Sequence, residues 1–313
     1  MAYTHIPAML AEVIQWLEPE PGNIFVDGTV GGCGHAAAIC NAIEPDGTYI
    51  GLDQDRDAID NAKRALERFK TTVHLFHGNF VQMPDFLSQL NIPATDGILL
   101  DLGISLHHVA SSGRGFSFRK DEPLDMRMDT RSDVKARDLV NGLDETNLRQ
   151  IFQRYGEERR ARQIARRIVQ ARKRNAISSS RQLADIVSQA VPKASWKPGF
   201  HPATRVFMSL RIAVNKELER LEQFLDTAVD FLEPGGRICV LSFHSLEDRI
   251  VKHRFRMLEN PCTCPSDLPV CACGRQGTLR VLTRKAQRPT AEEVMVNPMA
   301  RSTKLRAAEK LWQ

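Results

Sequence analysis

The stretch Ile24-Phe-Val-Asp-Gly-Thr-Val-Gly-Gly-Cys-Gly-His35 decides the fold that the whole chain predicts. Its opening residues are apolar and predict a short buried strand. Several glycines follow, and their freedom at positive φ lets the backbone approach a ligand closely. From His35 onward the composition favours a helix whose N-terminus would face the same ligand. Strand, glycine loop and helix therefore predict the first half of a nucleotide-binding βαβ unit.

The second half of this unit leaves the ligand open. The next apolar run, residues 48–52, ends in Asp53, which is placed to accept hydrogen bonds from ribose hydroxyls. Residues 32–37 fit G-x-G-x-x-A, and Asp53 follows about 20 residues later, as in a dinucleotide site. The same arrangement serves S-adenosylmethionine, with its methionine end over the glycine loop. A tight strand-to-helix turn without a ligand is the third interpretation.

Composition and length limit the class of protein. The chain has 313 residues and a formal net charge of +5, enough for one large or two modest domains. We expect no membrane span and no secretory signal, because neither a long apolar run nor a basic leader with an apolar stretch is present. The seven cysteines suit reduced thiols better than a disulfide framework, so we expect a cytoplasmic protein.

Two more strands are predicted before the pattern changes, at residues 72–76 and 96–101. Helical patterns separate the strands, which predicts an α/β fold with a parallel, doubly wound sheet. Ligand groups then belong at the strand carboxyl ends, where Asp53, Phe80 and Asp101 fall. Phe80 either flanks an adenine ring or belongs to the core.

The alternation of strands and helices stops between residues 104 and 215. Helices are predicted there at 145–155, 157–174 and 180–190. The middle one carries many arginines, which form either a solvated face or a phosphate-binding surface. We therefore predict a discontinuous domain of residues 1–103 and 216–313, with 104–215 as an inserted, mainly helical subdomain.

The remainder of the chain completes the sheet. A Pro-Gly-Gly turn precedes a predicted fifth strand at residues 238–243. Ser245 and Asp248, just beyond it, resemble a helix capping box. Residues 278–283 and 303–308 are predicted to pair as antiparallel strands.

Four cysteines crowd into the segment before that final pair: Cys262, Cys264, Cys271 and Cys273. They form two C-x-C pairs, whereas zinc sites usually use C-x₂₋₄-C. A zinc site and a reduced loop both stay open, and we assign no metal ligand.

Taken together, these motifs resemble those of the MraW family of ribosomal RNA small subunit methyltransferases (methyltransferase H). The matching motifs run nearly end to end in the same order: residues 27–35, 53–55, 77–80, 99–103, 114–118, 124–129, 155–159, 201–205, 242–249 and 297–302.

The resemblance implies a class I S-adenosylmethionine-dependent methyltransferase, with a Rossmann-like sheet and a helical insertion. It implies methylation of N4 of a cytidine near position 1402, in the decoding region of 16S rRNA. The implied cofactor is S-adenosylmethionine, and the implied partner is 16S rRNA or the small ribosomal subunit; a homodimer is compatible with it. The cofactor contacts carried over by motif are Cys33, Gly34, His35, Asp53, Phe80 and Asp101.

One departure from the family follows Asp101. The family usually continues Asp-Leu-Gly-x-Ser-Ser-Pro-Gln, whereas this chain has Asp101-Leu-Gly-Ile-Ser-Leu-His-His108. His108 takes the place of a glutamine that contacts the cofactor. Imidazole can also donate or accept a hydrogen bond, so His108 stays a cofactor-binding candidate.

The implied reaction sets requirements for the site. The lone pair of cytosine N4 is delocalised into the ring, so the amine must lie in line with the methyl group and meet acceptors for its hydrogens. We predict Asp101 and Ser242 as these catalytic groups, with His244 accepting the proton or serving only the structure. The basic insertion would hold the RNA backbone.

Three rival functions make different demands on the sequence. A protein that senses the cofactor and binds rRNA without turnover would carry the same motifs. An NAD-dependent dehydrogenase would satisfy the glycine loop but leave the basic insertion unexplained. A DNA cytosine-N4 methyltransferase is expected to show an Asp/Ser-Pro-Pro-aromatic motif, which residues 101–104 lack.

Overall fold

The computed structural model describes residues 6–196, 199–265 and 272–312. The chain forms two compact units: the helical unit comprises residues 104–217, and the sheet unit comprises the parts of the chain on either side of it. Among the described residues, no helix has both the length and the apolar character needed to cross a membrane.

The sheet unit is built on seven described strands in the order β3-β2-β1-β4-β5-β7-β6. The strands are β1 (Ile24–Asp27), β2 (Thr48–Asp53), β3 (Thr72–His77), β4 (Thr95–Asp101), β5 (Leu232–Ser242), β6 (Leu279–Val281) and β7 (Lys304–Lys310). Strands β1 to β5 are parallel, and β7 runs antiparallel to both β5 and β6. The predicted α/β fold and the predicted C-terminal antiparallel pair are confirmed.

The described helices are α1 (Leu10–Leu17), α2 (Gly34–Ile43), α3 (Arg56–Leu66), α4 (Met83–Gln89), α5 (Leu106–Ala110), α6 (Ala136–Gly142), α7 (Glu145–Arg154), α8 (Ala161–Arg172), α9 (Ser180–Ala190), α10 (Thr204–Asn215), α11 (Glu217–Thr227), α12 (Ser245–Glu259) and α13 (Ala291–Val296).

Both faces of the sheet are buried. Alternate residues of a strand point to opposite faces. On one face Val26 and Leu100 pack in a cluster with Phe224 of α11. On the other face Phe25 and Leu99 pack with residues of α1 and α2. This double burial is why the parallel strands are nearly continuous apolar runs in the sequence.

The fifth strand is longer than predicted. It begins at Leu232, so the Pro-Gly-Gly segment lies inside β5 instead of forming a turn before it. Thr95 of β4 pairs with Leu232, but Gly97 pairs with Arg237, so β5 carries extra residues at this point. Gly235 has a φ of 84° here, which glycine adopts without strain, and the segment forms a bulge.

The arginine-rich helix of the helical unit begins at Ala161, not at Glu157 as predicted. Glu157 has a left-handed φ of 47°, which interrupts the helical path after α7. Ile164 and Ile168 then anchor α8 in the core of the helical unit. Arg159 therefore precedes the helix.

Gly97 of β4 allows the closest packing in the sheet, and its substitution tests this. A Cβ atom at Gly97 would overlap the ring of the fully buried Phe25. We expect Gly97→Ala to lower the free energy of unfolding by about 1–3 kcal/mol, as overpacking does. The matched control is Gly142→Ala at the end of α6, where a Cβ meets nothing within 4 Å. Equal melting temperatures for the two variants would contradict this account.

Candidate active site

The parallel strands of the sheet unit end in polar side chains at one edge. Strand β1 ends in Asp27, β2 in Asp53, β4 in Asp101 and β5 in Ser242. Because the strands run in the same direction, their carboxyl ends meet at the edge where α/β proteins bind ligands. Three of these residues were predicted as site residues, and Asp27 was not.

The glycine loop turns sharply to begin α2. Gly31 and Cys33 have φ values of 47° and 66°, and Cys33 is the residue that precedes the helix. A Cβ atom at Gly34 would lie 2.6 Å from the ring of Pro7, so only glycine fits there. Burial raises the pKa of the Cys33 thiol to about 12, although Asn61 donates a hydrogen bond to its sulfur at 3.3 Å. Cys33 is therefore a neutral thiol in the loop and not a nucleophile.

Asp27 and Thr29 join the glycine loop to the sheet. The carboxylate of Asp27, only 1% exposed, accepts hydrogen bonds from the Thr29 amide at 2.9 Å and the Tyr49 hydroxyl at 2.8 Å. The Thr29 hydroxyl accepts a hydrogen bond from the Asp101 amide at 2.6 Å. Burial raises the pKa of Asp27 to about 6. The position of Asp27 at the end of the first strand was the signal that could have revealed it.

Asp53 holds the loop from the neighbouring strand. Its Oδ2 accepts a hydrogen bond from the Gly31 amide at 2.9 Å, and its Oδ1 accepts one from the Asp55 amide at 2.8 Å. Burial, together with the negative charges of Asp55 and Asp27, raises the pKa of Asp53 to about 7. Each carboxylate oxygen can accept a second hydrogen bond, so capacity remains for ribose hydroxyls.

Asp101 faces His35 of α2. Asp101 Oδ2 lies 3.5 Å from His35 Nδ1, while His35 Nε2 lies 3.0 Å from the Ala8 carbonyl oxygen. A carbonyl only accepts, so we assign the proton of the neutral ring to Nε2, which leaves Nδ1 as the acceptor toward Asp101. Burial and the charges of Asp27 and Glu247 raise the pKa of Asp101 to about 8. The fold therefore favours the protonated form of this carboxyl group.

Two buried oxygens at adjoining strand ends have no hydrogen-bond partner among the described residues. They are Asp101 Oδ1 on β4 and Ser242 Oγ on β5. Asp101 pairs in register with Leu241, the residue before Ser242, so the two oxygens belong to neighbouring strand ends. A buried polar atom without a partner is energetically costly. Such atoms are therefore often found where a protein binds a ligand or carries out catalysis.

Phe80 lies mainly in the core. It is 7% exposed, and its ring packs edge-to-face on Phe224 with centroids 5.3 Å apart. Beside it, Gln54 Oε1 accepts hydrogen bonds from Asn79 Nδ2 at 3.1 Å and Arg220 Nη1 at 2.8 Å. These three polar residues were not predicted, because side chains distant in sequence assemble the network.

His244 caps α12, and the predicted capping pair is wrong. Because α12 begins at Ser245, the cap falls on His244, and Glu247 is its partner. His244 Nδ1 accepts a hydrogen bond from the Glu247 amide at 3.4 Å, and Glu247 Oε2 accepts one from the Phe243 amide at 2.9 Å. Asp248, predicted as the second capping residue, instead forms ion pairs with β7.

His108 lies in the helical unit, on the short helix α5. Its Nδ1 accepts a hydrogen bond from the Ser105 amide at 3.2 Å. Its ring packs beside Phe116 with centroids 5.0 Å apart, and the residue is 7% exposed. The other predicted site residues belong to the sheet unit.

The raised pKa of Asp101 predicts how the stability of the protein changes with pH. The folded protein keeps this proton between about pH 4 and 8 and the unfolded chain does not, so stability falls as the pH rises through that window. Asp101→Asn removes the ionisable group, so we expect it to raise the melting temperature at pH 8. The gain in free energy of unfolding is about 1.4 kcal/mol for each unit by which the pKa is raised.

The control for this variant is Asp60→Asn, which removes an exposed carboxylate on α3. Thermal melts of both variants at pH 4 and pH 8 test the account. A gain for Asp101→Asn that is the same at both pH values, or that Asp60→Asn shares, would contradict it.

Comparison with known proteins agrees with the motifs. Residues 2–311 match the model of the MraW methylase family. Proteins named ribosomal RNA small subunit methyltransferase H are similar to this chain along its whole length. The one from Desulfosudis oleivorans is 54% identical over 99% of this chain and 100% of its own length. The one from Geobacter sulfurreducens is 50% identical over 99% of this chain and 100% of its own length. The chain therefore belongs to the MraW methylase family, and its cofactor is S-adenosylmethionine.

Proposed function

We propose that this protein methylates N4 of a cytidine in the decoding region of 16S rRNA. Its relatives are named for the small-subunit ribosomal RNA, and they match the chain from end to end. The single observation that carries the choice of an amine is the pair of unpartnered, buried oxygens, Asp101 Oδ1 and Ser242 Oγ, at adjoining strand ends. An exocyclic amine carries two hydrogens and needs such acceptors.

The carboxyl groups of the site suit a cationic cofactor. Burial raises the pKa values of Asp27, Asp53 and Asp101 to about 6, 7 and 8, and neighbouring acids add to the increase for Asp53 and Asp101. A positive charge at this edge relieves that repulsion. When bound, S-adenosylmethionine supplies a methyl group on a positively charged sulfur, so its charge matches the site.

The remaining cofactor contacts follow from the same edge. Asp53 would accept hydrogen bonds from ribose hydroxyls, and the loop from Cys33 through Gly34 to His35 would border the methionine end. Phe80, being largely buried, would contribute only its exposed edge beside the adenine. His108 stays a predicted cofactor contact.

Asp101 is better suited than His244 to accept the proton from N4. The pKa of Asp101 is close to neutral pH, as efficient proton transfer requires, and a positive charge nearby would favour its carboxylate. His244 already uses Nδ1 to cap α12, which fixes the orientation of its ring. Its Nε2 lies 3.1 Å from Glu247 Oε1 but makes no hydrogen bond with any residue that the structure describes. We therefore assign His244 to positioning the strand end, and Ser242 to accepting a hydrogen bond from the amine.

The helical unit offers a surface for the RNA backbone. One side of α8 is buried in the core of the unit, and the opposite side is strongly basic. Arg162, Arg166 and Arg167 are exposed on it. Guanidinium groups bind phosphates through paired hydrogen bonds, so this side of α8 would bind the rRNA backbone.

The direct test is transfer of labelled methyl groups to small ribosomal subunits that lack the modification, followed by nucleoside analysis. We expect label in N4-methylcytidine. At saturating cofactor, Asp101→Asn should lower the rate by about 10²–10⁴-fold, as loss of a general base does. It should also weaken cofactor binding, because the lost carboxylate attracts the sulfonium. Ser242→Ala should also reduce the rate, and the exposed control Asp60→Asn should not.

Two outcomes would contradict the proposal. Label in a different nucleoside would assign another target atom. Tight binding of cofactor and subunits without any label would favour a protein that senses the cofactor and binds rRNA without turnover.

The raised pKa values also predict how cofactor affinity depends on pH. Because the ionised carboxyls attract the sulfonium, affinity should rise between pH 6 and 8, by up to about tenfold per pH unit for each carboxyl that must lose its proton. S-adenosylhomocysteine lacks the sulfonium charge and should show a shallower rise. Calorimetric titrations with both ligands measure this difference, and equal slopes would contradict the assigned role of the acids.

A further inference from the structure

The segment between α12 and β6 has no apolar core in the part that the structure describes. Its described residues, 260–265 and 272–277, are all exposed or half-buried. The base of the segment is nevertheless closed, because the Thr278 amide donates a hydrogen bond to the Leu258 carbonyl at 2.8 Å. Long segments that bury so little apolar surface usually need a cross-link or a metal ion to hold one conformation.

Three cysteines converge in this segment. The sulfur atoms of Cys262, Cys264 and Cys273 lie within 4.8 Å of one another. Cys273 is distant from the other two in sequence, so the chain must fold back to bring its sulfur to them. A tetrahedral zinc ion with Zn–S bonds of about 2.3 Å places its sulfur ligands about 3.8 Å apart, which small side-chain movements reach from this arrangement.

We propose that Cys262, Cys264 and Cys273 bind a structural zinc ion. Thiolates are soft ligands that select zinc over magnesium or calcium, and binding would release the thiol protons to solvent. The free energy of metal binding would then replace the missing apolar core, as it does in small zinc-stabilised modules. Cys271, the fourth cysteine of the motif, lies outside the described residues, so the assignment depends on these three sulfurs.

The test is zinc content after purification in reducing buffer and dialysis against a weak chelator. We expect about one zinc ion per chain, and a thiolate-to-metal absorption band when cobalt replaces zinc. Changing groups that merely orient a ligand lowers metal affinity about 10- to 100-fold, so Cys262→Ser, Cys264→Ser and Cys273→Ser should each exceed that loss. Proteases should cut the segment faster in these variants. The circular dichroism spectrum should stay unchanged, because the helices and strands outside the segment are intact.

Two control variants accompany the cysteine substitutions. Thr263→Ala changes an exposed residue between two of the ligands, and Cys40→Ala removes a buried thiol on α2. Both should keep the zinc ion. The proposal is overturned if the wild-type chain holds no zinc and gives no cobalt band, if it forms disulfides in this segment under the same conditions, or if the three serine variants keep full zinc affinity. Because the readout is metal content, this result is independent of the proposed methyl transfer.

Discussion

The candidate site depends on the hydrogen bond between the Asp101 amide and the hydroxyl of Thr29. The carboxylate of Asp27 in turn accepts hydrogen bonds from the amide of Thr29 and from Tyr49. Through these contacts the glycine loop is tied to β1, β2 and β4 at once. The backbone that would border the cofactor and the carboxyl group that would meet the substrate are therefore positioned by a single buried network.

This arrangement has an energetic cost. Asp27 is buried, and Asp53 and Asp101 lie half-buried near it. Their raised pKa values show that the folded chain resists carrying all three charges. Such a cluster weakens the protein when no ligand is bound, and a cationic ligand stabilises it. The acids that favour binding of a cationic ligand thus lower the stability of the unliganded protein, as is common where function requires buried charge.

The candidate active site and the cysteine segment before β6 are held in place in different ways. At the sheet edge, side chains are held by strands whose apolar residues pack on both faces, such as Phe25 and Val26 of β1. In the segment before β6, the described chain has no such packing, yet it brings three sulfurs together. The proposed zinc ion would do there what apolar burial does in the sheet.

Sequence alone determined the fold class, the strand-end acids Asp53 and Asp101 and the family, because apolar periodicity, glycine spacing and local motifs are properties of short segments. Boundaries were less certain: β5 begins earlier and α8 later than predicted, since a bulge and a left-handed residue depend on neighbours that periodicity does not report. Only the tertiary structure paired Asp101 with His35, moved the cap of α12 to His244 and gathered the sulfurs of distant cysteines. Burial, charge repulsion and convergence of remote side chains arise only when the chain folds, and they set the protonation of the site.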